Sequence, residues 1–435
     1  MESPPAGPLP ADVLADVLAR LAPRSLAASR CVCREWRAVA DACCPPLRAD
    51  LLPITLGGMF IVTSEPDEAP PQFFARPSMA RKIAGGRLET YVKMERYDTP
   101  ADIEGSCNGL LLLDELVVVN PATRQWARLP PRPASPEGGA DGFDYVYLVF
   151  DPTVSPHYEV ISMKNPLDYC KGNKVSTEEW PPSVYVMRVY SSETRRWEER
   201  PFVREGPPLE ITVDVRATLG HAAYWHEALY VHCTTDFVMR ITLSNDKYQA
   251  IKFPEGIDGS NYYELYLGKS KSGVYLALVD NQHQLQVWFL EEFGVKIEWV
   301  LKRIIHLRAM VAHFIKNPAQ TDTSWIISRD HNCDQENNEG PTGEKTLDWD
   351  SDDDNAVEVQ VPDPNCFYGY NQIFGFHPYK ETVFLYLSSS RVVAYHFNSS
   401  KIQELGKLRM KNHNQMVDTT FIYSPCWIDE LSENC

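Results

Sequence analysis

The stretch VVVNPATRQWARLP, residues 117–130, decides how most of this chain is read. A β-branched run meets Asn120 and Pro121, residues that reverse a chain, and Trp126 then opens a second extended run. The phrase returns three times, as MRVYSSETRRWEERPF from Met187, MRITLSNDKYQAIKFP from Met239 and VAYHFNSSKIQEL from Val393. In each copy a strand-like run is followed by a turn of Asn, Ser, Thr or Asp and then by a large apolar residue: Trp126, Trp197, Tyr248 or Ile402. Each phrase is expected to be the outer hairpin of a repeat.

Working outward, another pair of strands precedes the hairpins: GLLLLDELVVV from Gly109, HAAYWHEALYVHC from His221 and TVFLYLSSSRVVAYHF from Thr382. YVYLVFDPTVSPHYEVISMK from Tyr145 supplies inner strands for the Trp197 repeat. A further unit of the same shape, GVYLALVDNQHQLQVWFLEEFGVKIEWVLKRI from Gly273, carries Trp299. Strand pairs recurring in this way predict four-stranded propeller blades, because a lone blade leaves both faces bare and must pack around an axis. Five blades are counted. Residues 47–100 and the tail around TTFIYSPCWI, from Thr419, could complete a ring of six or more. A β-sandwich or a pair of smaller sheets is the alternative.

The N-terminal stretch has a different period. Within LPADVLADVLARLAPRSLAASRCVCREWRAVADACCPP, residues 9–46, Val13, Leu14, Val17, Leu18 and Leu21 recur at helical spacing after Pro10, and Pro23 closes that helix. A second short helix is expected to carry Leu26, Ala27, Cys31 and Val32, and a third Cys33, Trp36, Val39 and Ala40. A unit of about 40 residues hides too little surface to stand alone. Leu9, Pro10, Leu14 and Trp36 are surplus apolar surface of the kind that marks an interface.

Here the residues resemble the F-box: Leu9-Pro10, the amphipathic run Val13 to Leu21, Ser25-Leu26, and Arg30-Cys31-Val32-Cys33-Arg34-Glu35-Trp36-Arg37. The resemblance implies docking onto a Skp-type adaptor, and through it a cullin-based ubiquitin ligase. Position by position, it assigns the adaptor-facing surface to Leu9, Pro10, Leu14, Leu18, Leu21, Leu26, Cys33 and Trp36. Farther on, SCNGLLLL at Ser106, VVVNPATRQWARLPP, YLVFDPTVSPHYEV, RRWEER and GFHPYKETVFL resemble the F-box-associated, kelch-like domain of large plant F-box families. The implied organisation is mainly β with a small α unit. An F-box at 1–46 is followed by a connecting segment at 47–104, which could contribute propeller strands, and by a β-propeller at 105–430 with an acidic insertion at about 330–365.

Composition narrows the function. With 435 residues, 44% of them hydrophobic and 11% aromatic, the chain can fill a large interior. A net charge of −17 argues against gripping nucleic acid through its phosphates. MESPPAGPLP lacks the marks of a secretory signal, and no apolar run approaches a membrane span, so a soluble cytoplasmic or nuclear protein is expected. The eleven cysteines, scattered and odd in number, read as small buried hydrophobes rather than a disulfide framework.

Several residue clusters invite a chemical reading. Asp348, Asp350 and Asp352 alternate as in a calcium loop, but Asp353 and Val359 stand where Gly and Glu are required. A solvated acidic loop is expected there instead. His221, His226, His232 and Cys233 crowd a short span, yet His232 and Cys233 should point to opposite faces of a strand, away from a shared zinc. Asp151 and Asp214 are loop carboxylates that nothing pairs. No nucleophile elbow, phosphate loop or dinucleotide fingerprint appears, so neither catalytic residue, metal nor cofactor is expected. The resulting reading is a non-catalytic substrate receptor whose target protein is bound by the propeller. The alternatives are a propeller enzyme carrying an F-box and an F-box scaffold that acts without ubiquitylation.

Overall fold

The computed structural model describes residues 10–19, 29, 32–43, 56–64, 70–83, 88, 92, 102–133, 144–173, 180–209, 219–233, 237–257, 262–294, 296–316, 325–327, 371–408 and 416–426. Two N-terminal helices, α1 (Ala11–Ala19) and α2 (Arg34–Cys43), pack on each other. The expected second helix falls largely outside the described residues, as do Asp214, the acidic stretch with Asp348, Asp350 and Asp352, and the last ten residues of the Pro- and Gly-rich segment 131–143.

The β-rich body begins with β1 (Gly58–Ser64) and β2 (Gln72–Ala75), followed by α3 (Pro77–Ile83). Four units of four antiparallel strands follow in chain order. The first is β3 (Ile103–Cys107), β4 (Leu110–Leu113), β5 (Val117–Asn120) and β6 (Gln125–Arg128). The second is β7 (Asp144–Val149), β8 (Glu159–Lys164), β9 (Val184–Ser191) and β10 (Arg196–Glu205), with α4 (Pro166–Asn173) between its second and third strands. The third is β11 (Leu219–Trp225), β12 (Ala228–Cys233), β13 (Phe237–Thr242) and β14 (Lys247–Lys252). The fourth is β15 (Tyr262–Ser270), β16 (Gly273–Asp280), β17 (Gln284–Phe293) and β18 (Lys296–His306), after which come α5 (Leu307–Lys316) and the short β19 (Ile326–Ile327). A fifth unit, β20 (Gln372–Phe376), β21 (Thr382–Leu387), β22 (Arg391–His396) and β23 (Ile402–Lys407), precedes β24 (Met416–Tyr423).

The sixth blade is assembled from three distant parts of the chain. Its strand order is β24-β1-β2-β19, with Met59 opposite Ile422 and Phe74 opposite Ile327. Both ends of the β-rich region therefore meet in one sheet, and the stretch after the fourth blade adds the outer strand. First strands lie side by side around the axis: β3 by β7, β7 by β11, β11 by β15, β15 by β20, β20 by β24, and β24 by β3. Among the described residues this is a closed ring of six blades, a β-propeller, and not a sandwich.

Closure explains the strand composition. Leu110, Leu111, Leu112 and Leu113 are all buried, although successive side chains of a strand point to opposite faces. Leu110 and Leu112 pack with Val146, Leu148 and Val160 of the second blade, whereas Leu111 and Leu113 pack with Phe60 and Phe73 of the sixth. A continuous apolar run is what a blade covered on both faces requires.

The repeated hairpin has one backbone signature. Arg124, Arg195, Asp246 and Ser400 have φ of 59°, 56°, 54° and 57°, and each stands two residues before Trp126, Trp197, Tyr248 or Ile402. In the second and fifth blades the N–H of this left-handed residue donates to the carbonyl four residues back, Arg195 to Ser191 and Ser400 to His396. The fourth blade turns instead at Gly294, φ 60°.

The marker aromatics stitch blades together. The indole N–H of Trp197 donates to the Pro130 carbonyl of the preceding segment at 2.8 Å, and that of Trp299 donates to the Lys252 carbonyl of the third blade at 2.9 Å. The Tyr248 hydroxyl donates to the Pro182 carbonyl. One seam goes further: the end of β10 pairs in parallel with β14, Val203 to Glu205 against Lys247 to Gln249, which joins the second and third blades into an eight-stranded sheet.

Candidate functional site

Two features of the molecule have binding chemistry: the surface of the helical pair and a cavity on the propeller axis. In the helical pair, the Pro10 carbonyl accepts the first helical bond, from the Leu14 N–H at 2.9 Å. Proline costs nothing there, since an N–H ahead of the helix would go unused. The α2 helix is capped by sulfur, with Cys33 Sγ accepting the Trp36 N–H at 3.4 Å.

The expected adaptor-facing residues divide. Pro10 and Cys33 are exposed and Trp36 is half-buried. Leu9, Leu21 and Leu26 lie outside the described residues. Leu14 and Leu18, 4% and 0% exposed, are buried in the chain by itself. Being four residues apart they share one face of α1, and that face is already covered. The exposed apolar stripe of α1 belongs to their neighbours Val13, 43% exposed, and Val17, 45% exposed, also four apart; Val32, outside the helix, is 62% exposed. Helical spacing alone admits both pairs, and only packing separates them.

Along the axis, a cavity of about 350 Å³ opens among the first strands of the third to sixth blades. Its wall includes His221 of β11, Glu264 and Tyr266 of β15, Gln372 of β20 and Asp418 of β24. Glu264 Oε1 accepts the Ile373 backbone N–H at 3.1 Å, tying the fourth blade to the fifth. The Gln372 amide nitrogen donates to the Val417 carbonyl at 3.1 Å, while its Oε1 is buried with no hydrogen-bond partner. His221 packs on the Tyr266 ring at 4.7 Å between centroids. Burial lowers the His221 pKa to about 4, against a smaller opposing pull from Asp418, so its imidazole is neutral at pH 7.

More carboxylates stand beside this wall, where β3 adjoins β24. Desolvation by the surrounding protein, helped by the Asp418 charge, raises the pKa of Asp102, although its side chain is exposed. Glu104, whose side chain is open to water, is raised to about 7 by desolvation from the surrounding protein and then by Asp114 and Asp102, with Arg132 pulling the other way. Asp114 is raised to about 6 by burial and then by Asp102 and Glu115. Each negative charge makes the next harder to form, so this end of the channel favours protons or other cations.

Glu264, Gln372 and Asp418 were not singled out in the sequence. Their signal is faint: polar residues near the starts of strands that open a blade, as in YYELYL and NQIFGF. The histidines and cysteine of the third blade separate as the strand period requires. Cys233 packs in the seam between the second and third blades, and His232 stacks with Phe253 at 5.6 Å. Asp151 stabilises its own turn, accepting from the Thr153 N–H at 2.9 Å and the Thr153 hydroxyl at 2.6 Å.

Comparison with known proteins matches these two regions separately. Residues 7–43 match the F-box-like family, and residues 186–334 match the family described as F-box protein AT5G49610-like, beta-propeller. The chain is 24% identical over 224 residues to F-box protein CPR1 of Arabidopsis thaliana, an overlap of 46% of this chain and 51% of that protein. It thus spans about half the length of this curated relative. Among solved structures, the Cps50 (Swd1) beta-propeller domain of Myceliophteria thermophila has a TM-score of 0.35 at 9% identity, over 80% of this chain and 85% of that one. A structure titled YCF48 bound to D1 peptide has a TM-score of 0.33 at 7% identity, over 81% and 82%. The helical pair thus lies within the F-box-like match, and the second to fourth blades of the six-bladed ring lie largely within the match to an F-box-protein β-propeller family.

Proposed function

We propose that this chain is the substrate-recognition subunit of a Skp–cullin–F-box type ubiquitin ligase, working in the cytoplasm or nucleus. The helical pair docks a Skp-type adaptor, the adaptor joins the chain to a cullin, and the propeller holds a target protein. The chain supplies proximity and orientation, while ubiquitin chemistry belongs to its partners. The supporting observation is the exposure of Val13 and Val17 on one face of α1, and of Val32, on a helical unit too small to cover them.

Docking this stripe against an apolar partner would bury side chains that now face solvent. Pro10, Cys33 and the open part of Trp36 lie in the same helical unit and complete the docking face in this reading. Leu14 and Leu18 hold α1 in place from beneath.

The test is capture of a purified Skp-type adaptor by the full chain and by a Val13→Asp, Val17→Asp variant. Two carboxylates set in a buried apolar patch should weaken capture by about a hundredfold or more. Undiminished capture by the double variant rejects the docking face. Transfer of ubiquitin is checked separately, by reconstituting the ligase and following a target recovered with the propeller.

A further inference from the structure

We propose that the outer edge of the fourth blade, strand β18, is an interface between two copies of this chain, joined antiparallel with Val300 opposite Val300. This goes beyond the receptor reading above and does not depend on it.

The first observation is that the rim of the ring is unevenly covered. An outer strand presents a row of backbone donors and acceptors, so folded proteins shorten such edges, cover them, or guard them with charge and proline. Here β6 has four residues and β19 two. The edge of β14 is covered by the tail of β10, and β23 is met by Trp325, bridged in parallel to Gly406. The rest of β10 carries Glu198, Glu199, Arg200 and Pro201. Strand β18 differs. It has 11 residues and bonds to β17 on one side, and among the described residues no backbone group bonds to its other side. Leu301 and Ile304 on it are 39% and 50% exposed. The edge is regular up to a bulge after Leu301, where the Lys302 carbonyl accepts from Arg303 at 2.9 Å.

The second observation, independent of the first, is that this edge complements itself. In a two-fold antiparallel pair one residue must face its own copy, and the residues on either side of it exchange partners. Centred on Glu298, two carboxylates meet. Centred on Trp299, Lys296 meets Lys302. Centred on Val300, Glu298 of each copy meets Lys302 of the other, and Trp299 meets Leu301. Like charges directly opposite destabilise a strand pair and unlike charges support it, so the Val300 register is selected.

The side chains are placed for this exchange. Lys302 lies 4.8 Å over the Phe289 ring and 2.9 Å from Glu291, which stands opposite Glu298 in the β17–β18 pair, so Glu298 and Lys302 share one face. Joining two copies extends that row across the interface with alternating sign: Glu291, Lys302, then Glu298 of the second copy. The other face carries Trp299 and Leu301, whose apolar surface is partly open to water. As the outermost strand of its blade, β18 lies on the rim, where two rings can meet side by side.

The experiment is sedimentation velocity of the full chain from about 1 µM to about 100 µM, where a reversible dimer is expected to build up with concentration. Glu298→Lys alone or Lys302→Glu alone should weaken it by about tenfold or more, since each sets like charges opposite one another twice. The variant with both exchanges restores the attraction and should return to within about threefold of the unsubstituted chain. Cross-linking gives a second measurement. Oxidised Val300→Cys should join two copies, because the central residue faces itself, whereas Leu301→Cys, which faces Trp299, should not. A chain that stays monomeric throughout overturns the interface and leaves the edge to a strand of another protein. Single exchanges without effect, a double exchange no better than either, or cross-linking at Leu301→Cys but not at Val300→Cys also overturn the assignment. No adaptor enters these measurements, so their failure leaves adaptor capture standing, and failed capture leaves them interpretable.

Discussion

The helical pair and the propeller solve one problem in opposite ways. In the propeller every sheet is covered on both faces by its neighbours, and six apolar seams run between successive blades right round the ring. In the helical pair Leu14 and Leu18 are hidden, but Val13, Val17 and Val32 are left open. A closed ring can satisfy all its apolar surface internally. A short helical unit has too little interior, so its excess is available to a partner.

The comparison breaks most readily at a seam. Phe237, 0% exposed between the second and third blades, should cost about 3–5 kcal/mol when cut to alanine, by lost transfer energy and the cavity left behind. Chemical denaturation of the full chain measures it, and a cost under 1 kcal/mol would show that seams do not carry the ring. Trp197→Phe keeps a ring in place and deletes one bond to Pro130, so a loss of about 0.5–1.5 kcal/mol is expected in the same assay.

The hairpins sharpen it from the other side. Arg124 is exposed at φ 59°, where a side chain is strained and glycine is not, so Arg124→Gly should raise stability by up to about 1 kcal/mol. A lower thermal midpoint would mean that the arginine side chain stabilises the turn by more than its backbone costs. Glu104 tests the acidic channel end. Its folded pKa of about 7 exceeds the ordinary 4.5, so its contribution to stability is full below pH 4.5 and is lost as pH rises through 7, by a small amount because the side chain is open to water and screened. Glu104→Gln should flatten the fall in thermal midpoint over that window, and an unaltered slope would remove Glu104 from the titrating set.

The smallest effect is expected where the comparison began. Val13→Asp with Val17→Asp, at exposed positions, should change propeller stability by less than about 0.5 kcal/mol while removing adaptor capture. A large drop in the propeller's midpoint would show that the stripe belongs to the protein's own packing.

Much of the propeller was legible. The marker residues Trp126, Trp197, Tyr248, Trp299 and Ile402 all sit on fourth strands, because turn residues and strand period act locally and survive in any context. The sixth blade was legible only as loose material at the two ends: no local pattern tells β24 to pair with β1, some 350 residues away. The candidate cavity was less visible still. Glu264, Gln372 and Asp418 are far apart in the chain, and none belongs to a motif. Leu14 against Val13 shows the same limit on a single helix, where spacing names two faces and leaves their sides open.

The amino-acid sequence by itself determined the hairpins, their marker residues, the two-part organisation and the helical N-terminus, since each depends on neighbours within a few residues. Tertiary structure decided the number of blades, the closing sheet, which valines face outward and which acceptors meet on the axis. Those outcomes depend on what packs against each strand or helix, and such partners arrive from anywhere along the chain.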